Sequence, residues 1–269
     1  MVGRFGTGSL RAEVLIRPGW GRPARTVNGV SFPGDPPHTI ARPVMRQQWL
    51  DLASLHWPVD PGQVRAALPP GLAVDEWDGA GWVGLIPFRM RGIALRRGPS
   101  PPWLGSFLET NVRTYVVGPH GPGVWFHSLD IDRALPVPVA RIGFGLPYAW
   151  SKMRAEAVGG RREYLARRRR PEPAGAESRV VFDVGRRLEP AEVSPLQHFV
   201  SARWRLYSAR RGRLLHAPVA HPAWPLHLAS LVDLHDDLVP AAGYAVEGPP
   251  AEVLWSPGVP VVVGALRRV

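Results

Sequence analysis

Residues 106–153 read SFLETNVRTYVVGPHGPGVWFHSLDIDRALPVPVARIGFGLPYAWSKM, and the pattern of this stretch decides the fold. Its first part alternates with a period of two, which is typical of a half-buried β-strand. One face is an ordinary β-branched packing surface, whereas the other carries a carboxylate, an amide, a guanidinium and a phenol. The first face consists of Leu108, Thr110, Val112, Thr114 and Val116, and the second of Phe107, Glu109, Asn111, Arg113 and Tyr115.

The polar face of this strand is suited to line a pocket. Side chains two residues apart on a strand lie roughly 6.5–7 Å from each other, so the row would present fixed polar groups at regular intervals. The segment 118–123, rich in Gly and Pro, predicts a turn into a second strand at 124–130. A proline-led segment at 136–144 and a sharp turn at 146–148 follow.

Several segments carry a family resemblance. The quoted stretch contains FLETNVRTYV, GVWFHSLD and AR-x4-LPY, and the others are LHWPVDPGQVRAALPPGL, WVGLIPF, FVSARWRLY, AHPAWPLH and the final SPGV. Together they resemble the YqjF-like family of uncharacterised proteins, a domain-of-unknown-function group that is similar to the acetoacetate decarboxylase-like superfamily. The resemblance covers residues 45–269 and implies a β-barrel whose interior holds the ligand site.

The remaining sequence also favours a mainly β (α+β) fold, namely an acetoacetate decarboxylase-like antiparallel β-barrel with a few short helices. The 31 Pro and 29 Gly residues are typical of many short strands joined by tight turns. Closure of such a sheet removes its exposed edges. Residues 1–42 are rich in Gly, Pro and Arg without periodicity, which predicts a flexible N-terminal extension before a barrel domain at 43–269.

Local signals predict individual elements around this core. Asp60-Pro61 is a helix start, and Ser194-Pro195-Leu196-Gln197 is a capping box that begins a second helix. Residues 72–77 and 82–90 predict a hairpin, and the run 167–170 predicts arginines in water. The second helix would carry one stripe of Leu196, Phe199, Val200, Arg203 and Tyr207.

Composition narrows the function classes. The net charge is +11 and all the cations but Lys152 are Arg, yet basic and aromatic residues do not interleave, so nucleic acid is not an expected partner. Zero Cys excludes disulfides, thiolate metal sites and cysteine nucleophiles. No apolar run reaches the roughly 18 residues of a membrane helix, and no secretory signal is recognisable. We therefore expect a cytoplasmic protein outside the membrane. The sequence does not decide whether it forms a homo-oligomer.

The resemblance points to one chemistry that this chain lacks. The decarboxylases form a Schiff base through a lysine that follows a Gly-x-Pro turn, beside a cationic neighbour. The matching turn here places Tyr148 at the lysine position and Ala149 at the neighbour. A phenol cannot form an imine, so this reaction is excluded at Tyr148. Lys152, four residues on, is interpreted as solvated.

Six residues are the candidate site. Glu109 and Tyr148 are the predicted catalytic pair, an acid/base carboxyl and a phenol that donates to a developing enolate. Arg113 and Arg203 are predicted to bind a carboxylate, with two further binding residues, Asn111 and His221. The alternative for Glu109 is a buried ion pair with Arg113 or Arg203 and no chemistry. His221 can equally be structural.

The sequence predicts neither a metal nor a cofactor. The spacing of His216, His221 and His227 fits no helix-borne metal motif, and no P-loop, dinucleotide fingerprint or nucleophile elbow occurs. The predicted function is to bind a small oxygenated or carboxylated molecule, with acid/base chemistry such as enolisation, dehydration, cyclisation or decarboxylation that needs no imine. The alternative is a non-catalytic binding or interaction protein that kept the fold, so whether the chain is an enzyme stays open.

Overall fold

The computed structural model describes residues 25–27, 30–32, 36–95, 98–101 and 105–269. Of the predicted extension at 1–42, the structure describes residues 25–27 and 30–32, which pair as two short antiparallel strands, and residues 36–42; the rest lies outside the described residues. The strands are β1 (Arg25–Val27), β2 (Val30–Phe32), β3 (Met45–Val59), β4 (Ala73–Val74), β5 (Gly81–Leu95), β6 (Phe107–Gly118), β7 (Gly121–Ile131), β8 (Tyr148–Val158), β9 (Arg161–Arg170), β10 (Glu177–Arg187), β11 (Arg205–Arg210), β12 (Arg213–Ala220), β13 (His227–Asp236), β14 (Glu252–Val263) and β15 (Arg267–Arg268). The helices are α1 (Pro61–Ala67), α2 (Pro136–Phe144), α3 (Pro195–Ser201) and α4 (Leu238–Ala241).

Thirteen of the strands form one sheet that closes on itself in two rings. The first ring runs β7-β8-β9-β10-β13-β14-β3-β5-β6 and returns to β7. The second runs β7-β11-β12-β14-β3-β5-β6 and returns to β7, so the two rings share a wall of β14, β3, β5, β6 and β7. The predicted mainly β fold is therefore confirmed.

The sequence predicted antiparallel pairing throughout, but two pairings in these rings are parallel. β8 and β11 both pair with β7 in parallel. Parallel neighbours need a crossover connection, and α2 supplies it between β7 and β8. The proline-led segment at 136–144 thus moves the chain to the other side of β7 before the turn at 146–148.

The shared wall has two buried faces. Leu55, Val83 and Val112 face a large apolar cluster that also contains Tyr164 and Phe182 and fills the first ring. The opposite face of β6 carries the polar row and faces the second ring. The period-two alternation of residues 107–117 is confirmed, and most side chains on both faces are buried.

Capping chemistry predicted the helix starts correctly. The Asp60 side chain accepts hydrogen bonds from the backbone of Gly62 and Gln63, and Ser194 forms the expected capping box with Gln197. The predicted helical stripe is wrong at its end, because α3 stops at Ser201 and residues 205–210 pair in the sheet as β11.

Two other local predictions are corrected by long-range contacts. Residues 73–74 pair with β6 rather than with the strand at 82–90. Of the predicted hairpin only the tight turn at Asp78-Gly79 forms, closed by an antiparallel bridge between Trp77 and Ala80. In the arginine run, residues 167, 169 and 170 are exposed as predicted. Arg168 instead is buried against Asp130. Local patterns cannot reveal these non-local partners.

Among the described residues, no helix is long and apolar enough to cross a membrane.

Candidate functional site

A cavity of about 560 Å³ is lined by side chains from every strand of the second ring. Helix α2 adds Ala140 and Phe144 to its wall. Most of the lining is apolar or aromatic with a few polar groups, which is the usual composition of a small-molecule site. The polar lining side chains are Gln47, Glu109, Arg113, Tyr148, Ser201, Arg203, Arg205 and His221.

Strand β6 runs along the cavity from its mouth toward its floor. Two leucines of the lining, Leu95 and Leu135, are 57% and 67% exposed and mark the opening. Phe107 lies near this opening, whereas Tyr115 is fully buried and packs with Phe199 at the other end. Glu109 therefore lies nearer the mouth than Arg113 does, and the two backbones are roughly 13 Å apart at strand spacing.

Glu109 is a buried carboxyl with weak partners. It is 3% exposed, and its two oxygens accept hydrogen bonds from Asn111 Nδ2 at 3.5 Å and from the Tyr148 hydroxyl at 3.4 Å. These distances are at the long end for hydrogen bonds. Burial raises the pKa of Glu109 to about 8; the bonds from Asn111 and Tyr148 oppose this rise, and the charge of Asp130 adds to it. Glu109 is thus mostly protonated at neutral pH.

No arginine of the described residues neutralises Glu109. None of the ion pairs formed by the part of the chain that the structure describes includes this carboxyl. The predicted alternative, a structural ion pair with Arg113 or Arg203, therefore does not form. Asn111 contacts Glu109 without lining the cavity itself.

Tyr148 is placed by the sharp turn that ends the crossover. The Pro147 carbonyl accepts a hydrogen bond from the Leu129 amide at 3.1 Å, which fixes the turn against β7. Burial raises the pKa of Tyr148 well above its ordinary value, and the adjacent Glu109 raises it further. The phenol is therefore a neutral hydrogen-bond donor at the wall of the cavity.

Two guanidinium groups lie together at the inner end. Arg113 donates to the Val200 carbonyl at 3.2 Å, and Arg203 donates to the Phe199 carbonyl at 2.7 Å and pairs with Asp75. Both lie over the ring of Tyr115, at 5.7 and 4.8 Å from its centroid. Burial lowers the pKa of Arg203, Asp75 raises it, and Arg113 lowers it again. Asp75 thus pairs with Arg203, whereas Arg113 donates its hydrogen bond to a backbone carbonyl.

Both guanidinium groups keep a buried nitrogen without a partner. Among the described residues, Arg113 Nε and Arg203 Nη2 have no hydrogen-bond acceptor, and Arg205 Nε nearby has none either. Buried donors of this kind cost free energy until an acceptor arrives. Arg113, Arg203 and Arg205 thus line the cavity with hydrogen-bonding capacity that the described residues do not fully use.

His221 forms part of an aromatic wall. Its Nδ1 donates to the Pro222 carbonyl at 2.8 Å, and its ring lies 5.1 Å from Trp224, which stacks on Trp49 at 6.0 Å. Burial lowers the pKa of His221 to about 4; the Pro222 bond opposes this and Arg113 adds to it. His221 is a neutral group in the cavity wall at physiological pH.

Sequence reasoning missed Arg205 and the two tryptophans of the wall. Arg203 and Arg205 are two residues apart, so a strand pattern at 203–207 would have placed both on one face. Because residues 196–207 are interpreted as one helix, this strand pattern is not recognised. Trp49 and Trp224 come together through β3 and the segment after β12, and no local pattern predicts that contact.

The three histidines considered as a metal site do not converge. His216 stacks on His120 at 3.9 Å, His221 lies in the cavity wall, and His227 packs edge-on against Trp255. Within the described ranges, no group of three or more His, Cys, Asp or Glu side chains is suited to hold a metal ion.

Comparison with known proteins identifies a family and a relative with similar sequences. The profile of the DUF2071 family, described as "Uncharacterized conserved protein", matches residues 46–260. The uncharacterized protein YqjF of Bacillus subtilis (strain 168) is 34% identical over 186 residues, which cover 69% of this chain and 76% of YqjF.

Solved structures share the fold at low sequence identity. Acetoacetate decarboxylase from Legionella pneumophila is 14% identical with a TM-score of 0.58, over 83% of this chain and 86% of that chain. The enduracididine biosynthesis enzyme MppR, in complex with pyruvate, is 17% identical with a TM-score of 0.57, over 86% and 93%. An acetoacetate decarboxylase-like enzyme from Sphingomonas wittichii RW1 is 11% identical with a TM-score of 0.58, over 87% and 96%. The predicted superfamily fold is confirmed.

Proposed function

Since this chain belongs to the DUF2071 family of uncharacterized conserved proteins, we propose its function from its own cavity. It binds an organic acid that carries a carbonyl group, with the carboxylate on Arg113 and Arg203, and it moves a proton on that acid through Glu109. Tyr148 is the hydrogen-bond donor to the carbonyl oxygen. The reaction class is enolisation without an imine.

The observation that carries this proposal is that two guanidinium groups line the inner end of the cavity, while among the described residues only Arg203 of the two is paired with a carboxylate. A ligand carboxylate there would balance the charge of Arg113 and accept hydrogen bonds from both groups. Charge-assisted hydrogen bonds of this type are about twice as strong as neutral ones. MppR, which has a similar fold, has been solved with pyruvate, and this supports an organic acid as the ligand.

The proton step assigns complementary roles to Glu109 and Tyr148. The ionised form of Glu109 takes a proton from the carbon next to the carbonyl, the electron pair moves into the carbon–carbon bond, and the oxygen becomes an enolate. The Tyr148 hydroxyl then donates to this oxygen instead of to Glu109. Its present hydrogen bond to Glu109 is long, at 3.4 Å, and is therefore easily exchanged. Glu109 returns the proton to carbon, so the step is balanced without a co-reactant. A base whose pKa lies near the working pH suits this task.

The geometry supports a route without a lysine. Tyr148 and Ala149 begin β8, and the only lysine of the chain, Lys152, is exposed on that strand and does not line the cavity. Deuterium exchange into levulinate, a keto acid, measures the proposed enolisation directly by proton NMR in D2O.

For Lys152→Ala, we expect the exchange rate into levulinate to be unchanged, because the side chain points into solvent. Borohydride treatment of the wild type with levulinate should leave no adduct at Lys152 by peptide mass spectrometry. An adduct at Lys152, together with loss of exchange in the variant, would contradict the assignment.

For Arg113→Met, we expect the dissociation constant for levulinate to rise about tenfold to a hundredfold, the range for a lost hydrogen bond to a charged group. Isothermal titration calorimetry measures it. Methionine keeps the apolar stem while removing the charge. The matched control is Arg213→Met at the exposed first residue of β12, which should bind as the wild type does.

Two results would overturn the proposed function. One is levulinate binding that does not depend on Arg113, and the other is equal binding of levulinate methyl ester. Binding without any exchange would leave the non-catalytic alternative, a barrel-like fold that only holds the acid.

A further inference from the structure

We infer that the natural ligand is a monocarboxylic acid with a long apolar body, which extends from the arginines past Glu109 to the mouth between Leu95 and Leu135. This inference rests on the proposed function and specifies the class of acid. A long monocarboxylic acid of this kind differs from a short keto acid such as pyruvate.

The first argument is size. The cavity volume is about 560 Å³. At roughly 30 Å³ for a water-sized group, this space holds on the order of 15 to 20 non-hydrogen atoms. A three-carbon acid bound at Arg113 and Arg203 would leave most of an apolar cavity unfilled.

The second argument is the distribution of charge. Of the cavity-lining residues, the cationic ones are Arg113, Arg203 and Arg205. Arg203 lies two residues before Arg205, the first residue of β11, and Arg203 shares the Tyr115 ring with Arg113. The positive charge of this lining is thus grouped in one sector, which fits one anionic end on the ligand.

The third argument is the path from this sector to the opening. Beyond Glu109 and Tyr148 the lining is mostly apolar: apart from Gln47, which lies between Met45 and Trp49 on β3, a ligand chain there would contact hydrocarbon and aromatic surface. Burying such a chain is favourable by the hydrophobic effect. The apolar side chains of this outer region include Met90, Ile93, Phe107, Pro136 and Ala140.

The fourth argument is the mouth itself. Leu95 and Leu135 line the cavity yet are 57% and 67% exposed. Leu135 also precedes α2 as its N-cap, where a polar residue is preferred. An apolar side chain that is exposed at this position is explained by an apolar ligand that emerges beside it.

The experiment is a calorimetric titration with acetate, hexanoate, octanoate and decanoate. We expect affinity to rise about fourfold for each added methylene group, the factor for burial of one CH2, until the chain reaches the mouth. Decanol, which has the same chain without the carboxylate, should bind far more weakly than decanoate.

A pair of variants locates the tail. Leu135→Ser should weaken decanoate binding severalfold and leave hexanoate binding unchanged, because only the longer chain reaches the mouth. The fold should tolerate serine, which is a favoured N-cap residue. The matched control is Ile142→Ser on the same helix, where the side chain is 72% exposed but does not line the cavity; it should leave both affinities unchanged.

The outcomes separate this inference from the proposed function. If acetate and levulinate bind through Arg113 but affinity does not grow with chain length, the long-chain inference is wrong and the proposed function stands. If affinity grows but Leu135→Ser and Ile142→Ser behave alike, the path of the tail is wrong. If no acid of any length binds, the proposed function fails as well.

Discussion

Replacing Glu109 with Gln is expected to lower the rate of deuterium exchange into levulinate by about 10²- to 10⁴-fold, the usual contribution of a positioned acid/base group. Glutamine keeps the shape, and its single carbonyl oxygen can accept the hydrogen bond from either Asn111 or Tyr148, but it cannot take a proton. The binding affinity for levulinate should change little, because the carboxylate of the ligand is held by Arg113 and Arg203. Proton NMR for exchange and calorimetry for binding measure the two effects separately.

The pH dependence of exchange tests the same assignment. Burial raises the pKa of Glu109 to about 8, so the basic form is the minor one at neutral pH. The wild-type rate should rise about tenfold per pH unit below pH 8 and level off above it, as expected for a single ionisation. The residual rate of Glu109→Gln should lack this rise.

The control for this prediction is Glu252→Gln. Glu252 is another strand carboxyl, although only partly buried; burial raises its pKa, and its hydrogen bond from Gln197 opposes that rise. It does not line the cavity, so its variant should exchange levulinate at the wild-type rate. A similar loss in both variants would show that the effect comes from general destabilisation and would contradict the role of Glu109.

Folding stability should report the same pKa. The folded state keeps the Glu109 proton up to a pH of about 8, whereas the unfolded state releases it near its ordinary pKa of 4.5. Between these values the unfolded state binds fewer protons, so the free energy of unfolding falls as pH rises, by at most about 1.4 kcal/mol per pH unit. Urea denaturation of Glu109→Gln should show a weaker decline over this window than the wild type.

The fold was predictable from the sequence where local patterns and tertiary contacts agree. On β6 the alternation is regular and both faces are buried, so the polar row of Glu109 and Arg113 could be assigned to an enclosed surface. Asp60 and Ser194 act within their own turns, and the capping rules therefore identified α1 and α3. At 203–207, by contrast, pairing with β12 and β7 overrides the helical spacing.

The site was predictable only in part, for the same reason. Glu109 and Arg113 lie on one strand, and Tyr148 follows a turn that the family resemblance aligns. Arg205, Trp49 and Trp224 reach the cavity only through closure of the second ring, in which β12 meets β14 at Val219 and Val263. Closure depends on contacts between distant segments, which a single sequence does not display.

Replacing Arg168 with Met is expected to lower the free energy of unfolding by about 3–5 kcal/mol, the cost of leaving one member of a buried ion pair alone. Arg168 donates from Nε and Nη2 to the two oxygens of Asp130 at 2.8 and 2.7 Å, and Ser151 donates to the same carboxylate at 2.7 Å. Asp130 is fully buried. Without the guanidinium, the buried Asp130 carboxylate would keep the hydrogen bond from the Ser151 hydroxyl but would lose its cationic partner.

Two further variants make this prediction specific. Arg169→Met removes the adjacent exposed arginine and should change stability by no more than about 0.5 kcal/mol, as is usual for surface substitutions. Arg168→Met combined with Asp130→Asn should regain much of the loss, because the buried charge is removed along with its partner and the amide oxygen can still accept from Ser151. Urea denaturation of the four proteins measures these differences. If Arg168→Met proves no more destabilising than Arg169→Met, then the Asp130 carboxylate does not depend on Arg168, and the local interpretation of residues 167–170 as a solvated arginine run would be correct after all.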